Sequence, residues 1–487
     1  MIKAILAFIL LFKAIGWSQG SGNQNLGNNS FIGGGVSNQV SVGVENGFIG
    51  AGGLNTNSAN NGFIGAGIFN KILANGRRAF VGGGALNTVA GWGGVIVGGE
   101  GNLINTNSTN SFIGAGYGNL IDSNSPHSFI GGGLSNQAAN EYTTIGGGGA
   151  NFASEYASTI AGGRGNNATE MDATVGGGSQ NVASGQASVV AGGQRNIAAA
   201  INCVVAGGDL NKAGDQSSTV SGGIQNTNLS YGATIGGGIQ NRVVSAGGYG
   251  IGTIGGGDRN YLAGGWATVA GGRLNTNSGL YGTVSGGKEN RVTGDWAVVS
   301  GGISNVATAR NATIPGGSLN TVANNGSFVW GDGSSATASW ADNTFTVRAI
   351  GGTRFYTAAG TVTGVRLAAR GTAWASLSDR ASKQDFQPVD KREILKKVAD
   401  LPVTSWTYKT DLSRRYIGPM AQDFHSTFGL GDDDKSITTL DTDGVLLASV
   451  QGLVEELHER DAEIEDLRKS LQELKTRVDS MSPPTSR

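Results

Sequence analysis

The octad Phe31-Ile32-Gly33-Gly34-Gly35-Val36-Ser37-Asn38 returns along most of the chain, and its closing asparagine recurs nineteen times from Asn38 to Asn320. The usual step is fifteen residues; four steps of seventeen and one of nineteen fit as loop insertions on one side of a repeating coil. A period this short rules out a globule built around one core. Each copy can bury its apolar residues only against the copies before and after it, which predicts a β-solenoid or β-roll.

The columns of the repeat predict its packing. The second position is always Ile or Val (Ile32, Ile145, Val205, Ile235, Val299), whereas the first is Phe in most early copies and Thr or Val later. Neighbouring strand residues point to opposite faces, so the second column is the inward one. The fifth position is always glycine, which admits positive φ and close backbone approach. Asparagine at the eighth tolerates left-handed turns and, stacked copy on copy, predicts a ladder. A single β-branched column with alanines and glycines encloses little apolar surface against the entropy of ordering the chain. Lateral association is therefore expected, and threefold association is favoured because it closes.

Composition excludes several function classes. The net charge of -1 gives no reason to expect nucleic acid or an anionic membrane surface as partner. Cys203 is the sole cysteine, so neither an intrachain disulfide nor a cysteine metal cluster can form, and it reads as a small buried residue. His127, His425 and His458 are scattered, without the grouping of a triad or a metal site. Repeated glycines without following helices are structural rather than phosphate-binding. Calcium-binding repeats need Asp where this repeat has Asn. The threonines Thr144, Thr159, Thr174, Thr219 and Thr234 read as strand formers, because Val189, Val204 and the early phenylalanines break any flat ice-binding array. No cofactor or metal is expected.

Residues 1–20 carry Lys3, a nine-residue apolar run from Ala4 to Phe12, and small residues at Ala14 and Gly16 or Ser18 and Gly20. The run is too short to cross a bilayer core of about 30 Å and reads as a secretory signal peptide, although Lys13 interrupts the pattern. A secreted, extracellular or cell-surface protein is expected, without a transmembrane anchor. The repeats fill residues 21–327. Residues 328–377, with the alternating runs Asn343–Ala349 and Thr353–Thr357, predict a β-rich neck in which Trp330, Trp340 and Trp374 serve as packing anchors.

The remainder changes character. Asp390 and Glu393 form a capping-box-like start for a helix that Pro402 stops; Val403 to Lys409 alternates as a strand; Pro419 opens a short helix ending at Gly429. Asp441 to Gly444 reads as a turn. From Leu446, apolar residues recur in a 4-3 alternation through Val450, Leu453, Leu457, Ile464, Leu467, Leu471, Leu474, Val478 and Met481, the signature of a coiled coil over 445–481. Residues 482–487 read as a disordered tail. At the junction, the Ser378 hydroxyl lies one residue past the Leu377 carbonyl, and Lys383, five residues on, is a candidate base. A free lysine titrates near 10.4, so desolvation on assembly would have to free the amine before it could activate the serine. Asp379 either orients the backbone or pairs with a cation, or simply caps a turn.

The run Trp374-x-x-Leu377-Ser378-Asp379-Arg380-x-x-Lys383, followed by Tyr416-Ile417-Gly418-Pro419-Met420-Ala421-Gln422-Asp423, resembles the intramolecular chaperone domains at the C-termini of phage endosialidases and tail fibres. The resemblance covers Ser378 to about residue 480, with the compact part at 378–444. It implies a domain that trimerises, assists assembly of the preceding fibre and then cuts itself off before the serine. Ser378 and Lys383 match the family's serine and lysine; a hydrophobic residue commonly precedes that lysine, where Ser382 stands here. The repeats resemble the β-roll heads of trimeric autotransporter adhesins, though with different repeat wording.

The expectation is a mainly β chain: an elongated β-solenoid forming a homotrimeric fibre, a β-rich neck, then an α+β chaperone domain ending in a trimeric coiled coil. The expected function is an exported surface fibre or adhesin, its partners being itself and a surface glycan. Its chaperone would act at most as a single-turnover Ser-Lys endopeptidase cutting between Leu377 and Ser378. The rival readings are a phage-derived tail fibre binding host polysaccharide and a passive stalk.

Overall fold

Each copy of the repeat closes one coil, and every coil contributes two short strands. In the computed structural model, which describes residues 20–244, 250–359 and 363–481, these strands stack as two parallel ladders of 21 strands each. The chain divides into two units, Met1–Ala349 and Ile350–Arg487. The signal-peptide reading of residues 1–20 falls, apart from Gly20, outside the described residues, as does the tail 482–487.

One coil of the first unit shows how the sequence dictates the stack. Val189–Val190 forms the first strand, with Val189 half-buried and Val190 fully buried. Gly193 turns the chain at φ +86°, and Arg195 follows at φ +55°. Asn196 then enters the interior, and Ile197–Ala198 forms the second strand with Ala198 inward. The next coil pairs in parallel register, Val189 with Val204 and Ile197 with Lys212.

Two details differ from the sequence reading. The left-handed residue is the one before the asparagine, and the asparagine itself is buried because its amide serves the stack. The coil also has a second inward column, mostly Val or Ile from Val40 to Ile121, alanine from Ala138 to Ala213, and mixed Asn, Val, Leu and Ala from Asn228 to Val322. This column lines the opposite wall and adds interior that a single β-branched column lacks. Full burial of each Ile or Val side chain contributes about 1.5–3 kcal/mol.

The asparagine ladder is the polar axis of the stack. Asn196 Nδ2 donates to the carbonyls of Gly192 and Gly208 at 2.9 and 2.8 Å, its backbone N–H donates to Asn181 Oδ1 at 3.0 Å, and its own Oδ1 accepts from the Asn211 N–H at 3.0 Å. The pattern begins one coil earlier than the recognisable repeat, at Asn23, whose Oδ1 accepts from the Asn38 N–H. Fifth-position glycine is required twice over. A Cβ on Gly193 would stand 2.3 Å from the Gly208 carbonyl oxygen, at a φ that side chains rarely adopt. Gly193→Ala is accordingly expected to cost about 2–4 kcal/mol, read as a lowered urea midpoint of the solenoid transition.

Cys203 occupies a column of small buried residues at the corner before the first strand, its thiol against the Asp215 carbonyl and Ser218 Oγ. The two-residue insertions all lie between the second strand of one coil and the first of the next, as at Val40–Phe48 and Ile104–Phe112, where Val42 is exposed.

The stretch read as a neck is divided. Phe328–Gly331 and Phe345–Arg348 continue the solenoid ladder in parallel register, Phe328 stacked on Phe345, because each still presents an inward β residue. Trp330 is half-buried in these last coils and Trp340 is exposed. Gly352–Tyr356, Gly364–Ala368 and Trp374–Ser376 form a separate antiparallel sheet in the second unit, where Trp374 tilts against Phe355.

The rest of the second unit follows the capping signals. Asp390 accepts from the Arg392 and Glu393 N–H groups at the start of helix Lys391–Asp400. Thr404–Tyr408 and Asp411–Gly418 pair as a hairpin, in which the Ser413 hydroxyl and then its N–H hold the Asp411 carboxyl below its ordinary range. Helix Ala421–Phe428 stops at Gly429 with φ +68° and buries Phe424. The long helix Thr439–Met481 begins earlier than expected and absorbs Asp441–Gly444. Thr438 explains this: its Oγ1 accepts from the Asp441 N–H and donates to the Asp441 carboxylate, capping the helix ahead of Gly444. Helix Lys391–Asp400 packs on the long helix at Gly452, where a Cβ would meet the Lys391 carbonyl at 2.4 Å. Lys391–Glu455 at 2.9 Å and Arg392–Glu459 bridge the same pair.

Candidate functional site

The segment from Trp374 to Lys383 is built from a strand, a bare junction and one tight turn. Trp374–Ser376 is the edge strand of the three-stranded sheet, and the Leu377 N–H still donates to the Gly364 carbonyl at 2.9 Å. The carbonyl side of the Leu377–Ser378 bond is thus tethered to the sheet. Past it the chain leaves the sheet and enters a 3-10 turn, Arg380–Ser382.

That turn is fixed by its own side chains. Asp379 caps it, its Oδ1 accepting from the Ala381 N–H at 2.9 Å. The Ser382 hydroxyl donates to the Asp379 carbonyl at 2.8 Å and the Ser382 N–H reaches the same oxygen at 3.2 Å. The turn reverses the chain so that Lys383, five residues on, faces back: its Nζ donates to Ser378 Oγ at 2.5 Å. Ser378, Asp379 and Lys383 are all exposed, and Leu377 is half-buried.

The two candidate reacting residues therefore meet, and Asp379 stands in the turn-capping position, without an ion pair to Lys383 among the described residues. As drawn, the ammonium is the donor. Base catalysis needs the reverse, a neutral amine accepting the serine proton. Two contributors had no clear signal in the sequence. Arg380 lies over the Phe386 ring at 4.5 Å, packing the turn from outside, and Ser382 supplies a turn-closing hydroxyl. Short-range spacing reveals neither contact, since both depend on the backbone having already turned.

The long helix carries the other candidate surface. Its heptad residues are exposed in the single chain, from Leu446 at 58% through Leu467 at 65% to Met481 at 77%. Near its start it buries only Val445, Ser449 and Gly452. Among the described residues no helix is long and apolar enough to cross a membrane, and no group of His, Cys, Asp and Glu could hold a metal ion.

Residues 378–429 match the family described as chaperone of endosialidase. The match opens on Ser378 itself and closes on Gly429, the cap of the short helix. The chain thus joins a long parallel β-solenoid to an endosialidase-chaperone segment near its C-terminus. No curated protein matches the chain.

Proposed function

We propose that this chain is an exported, homotrimeric surface fibre whose C-terminal segment directs assembly and then releases itself by cutting between Leu377 and Ser378. The observation that carries the reading is the 2.5 Å approach of Lys383 Nζ to Ser378 Oγ at the first residue of the matched segment. The exposed heptad stripe supports a three-stranded coiled coil, because ten apolar positions left in water are costly unless partner helices cover them.

The chemistry uses only this chain and water. Assembly covers the pair from solvent, and the neutral amine takes the Ser378 hydroxyl proton. Oγ attacks the Leu377 carbonyl carbon, and the C–N bond breaks as the Ser378 nitrogen takes up the proton and becomes a free amine. The resulting Leu377 ester on Oγ is hydrolysed by one water, returning the hydroxyl and leaving a carboxylate on Leu377. Each chain cuts once, so cleavage reports completed assembly.

Export is supported by the signal-like layout of residues 1–20, and surface adhesion by the exposed aromatic column Trp266, Tyr281 and Trp296, rings stacked at 5.3 and 5.7 Å. A glycan is the ligand class such a surface fits. A phage-derived tail fibre that binds host polysaccharide is the second reading, favoured by the chaperone match. Mass analysis and sedimentation of the purified full-length product test the main proposal. The expected result is a body ending at Leu377, a tail starting at Ser378, and a body of three chains. The mature body should begin near Ala14–Gly20; a retained Met1 favours the tail fibre, and one uncut, single folded chain overturns the proposal.

A further inference from the structure

The two ladders of the solenoid present unlike outer faces. On the ladder that begins with Phe31–Ile32, the outward residue of every one of the 21 strands is Phe, Val or Thr. The next outward position, two residues on, is Gly, Ala, Ser, Val, Pro or Trp. Neither column contains a charged residue. The other ladder carries Lys71, Lys212, Arg242 and Arg291 at its outward positions, and both corners carry further charges, such as Glu100, Asp172 and Arg195.

The uncharged face is also flat. Phe31, Phe48, Phe63 and Phe80 stack ring on ring at 5.3, 4.6 and 5.1 Å. Each ring edge lies over the glycine two residues ahead: the Phe31 ring would stand 3.1 Å from a Cβ on Gly33, and the Phe80 ring 3.3 Å from one on Gly82. A side chain in the glycine column would lift the rings. Yet Phe31, Phe80 and Phe129 remain 36–40% exposed in the single chain.

We propose that this face is the surface through which three copies of the solenoid pack around their common axis. The inference rests on the homotrimer of the preceding section and assigns its interface in the shaft. Three observations select another copy over an unrelated partner. Around a threefold axis each residue near the axis meets its own copies, so any charge there would face a like charge, whereas an unrelated partner could carry the complement. The absence of charge is what self-association demands. Second, the face repeats at the strand spacing of about 4.8 Å for its whole length, and a second ladder of the same spacing matches it without voids. Third, 21 strands at that spacing, about 10 Å wide, give an area on the order of 1,000 Å² per chain, above the roughly 800 Å² per partner of a stable interface.

The test uses full-length protein. In one pair of variants, Thr234→Cys on the uncharged face and Thr276→Cys on the other ladder, both in a Cys203→Ser background, are treated with a short bismaleimide. Thr234→Cys is expected to link chains to each other and Thr276→Cys to leave them single. In a second pair, Thr159→Lys with Thr234→Lys is expected to reduce the sedimenting mass of the body to one third of the parent's with its β circular dichroism retained, while Thr227→Lys with Thr276→Lys leaves three chains. Should the lysine pair on the uncharged face lose its β signal, the cysteine pair decides. A three-chain parent in which Thr234→Cys stays unlinked overturns the inference and leaves the C-terminal assembly reading intact. A single-chain parent overturns both.

Discussion

Asn196→Ala is expected to lower the stability of the solenoid by about 2–4 kcal/mol. The substitution strands the buried N–H of Asn211 and the half-buried Gly192 carbonyl, while the Gly208 carbonyl keeps its bond from the Gln194 N–H at 2.8 Å. Each unsatisfied group costs about 1–3 kcal/mol. Because the coils bond only to their neighbours, the loss should appear first as local opening, with amide exchange accelerated in the coils on either side and unchanged far away. Gln194→Ala, at an exposed position two residues earlier, should change stability by no more than about 0.5 kcal/mol. Equal exchange in the two variants would mean that the ladder is not what holds the coils in register.

Ser378→Ala is expected to abolish the Ser378–Arg487 fragment altogether, since it removes the hydroxyl that lies one residue past the Leu377 carbonyl. Lys383→Met should slow its release by about 10²- to 10⁴-fold, the usual contribution of a positioned base. Lys383→Arg separates charge from base function: a guanidinium can donate to Ser378 but cannot give up its own proton, so the cut should be lost while the local fold is kept. Asp379→Asn retains an acceptor for the Ala381 N–H and should cut at close to the parent rate. Gel analysis of freshly folded protein over hours measures all four. Normal cutting by Lys383→Arg would remove the lysine from the mechanism.

The solenoid was the most legible part of the sequence because its rules are local and repeated. A β-branched residue at every second position and a glycine at every fifth leave few alternatives, and the strands formed where those columns place them. The asparagine was harder to read. Its propensity for left-handed turns competed with its capacity to bond inward, and only the closed coil shows that a neighbour such as Leu210 or Arg195 takes the strained backbone so that the amide can face the axis. The second inward column carries a weaker sequence signal, because from Ala138 to Ala213 it consists of alanines beside the Ile and Val of the first. At the junction, residue types suggested Ser378 and Lys383, but their meeting depends on a turn closed by Asp379 and Ser382. At the start of the long helix Gly444 signals a turn, while the Thr438 cap six residues upstream governs where the helix begins.

The asparagine column has a consequence for how such a molecule changes over generations. Every coil offers the same donors and acceptors above and below, so excising one fifteen-residue unit, or duplicating one, joins ends that still fit. Reach is then an inheritable variable set in increments of about 4.8 Å, adjustable without redesigning any bond. The coil number works as a ruler that recombination can lengthen or trim.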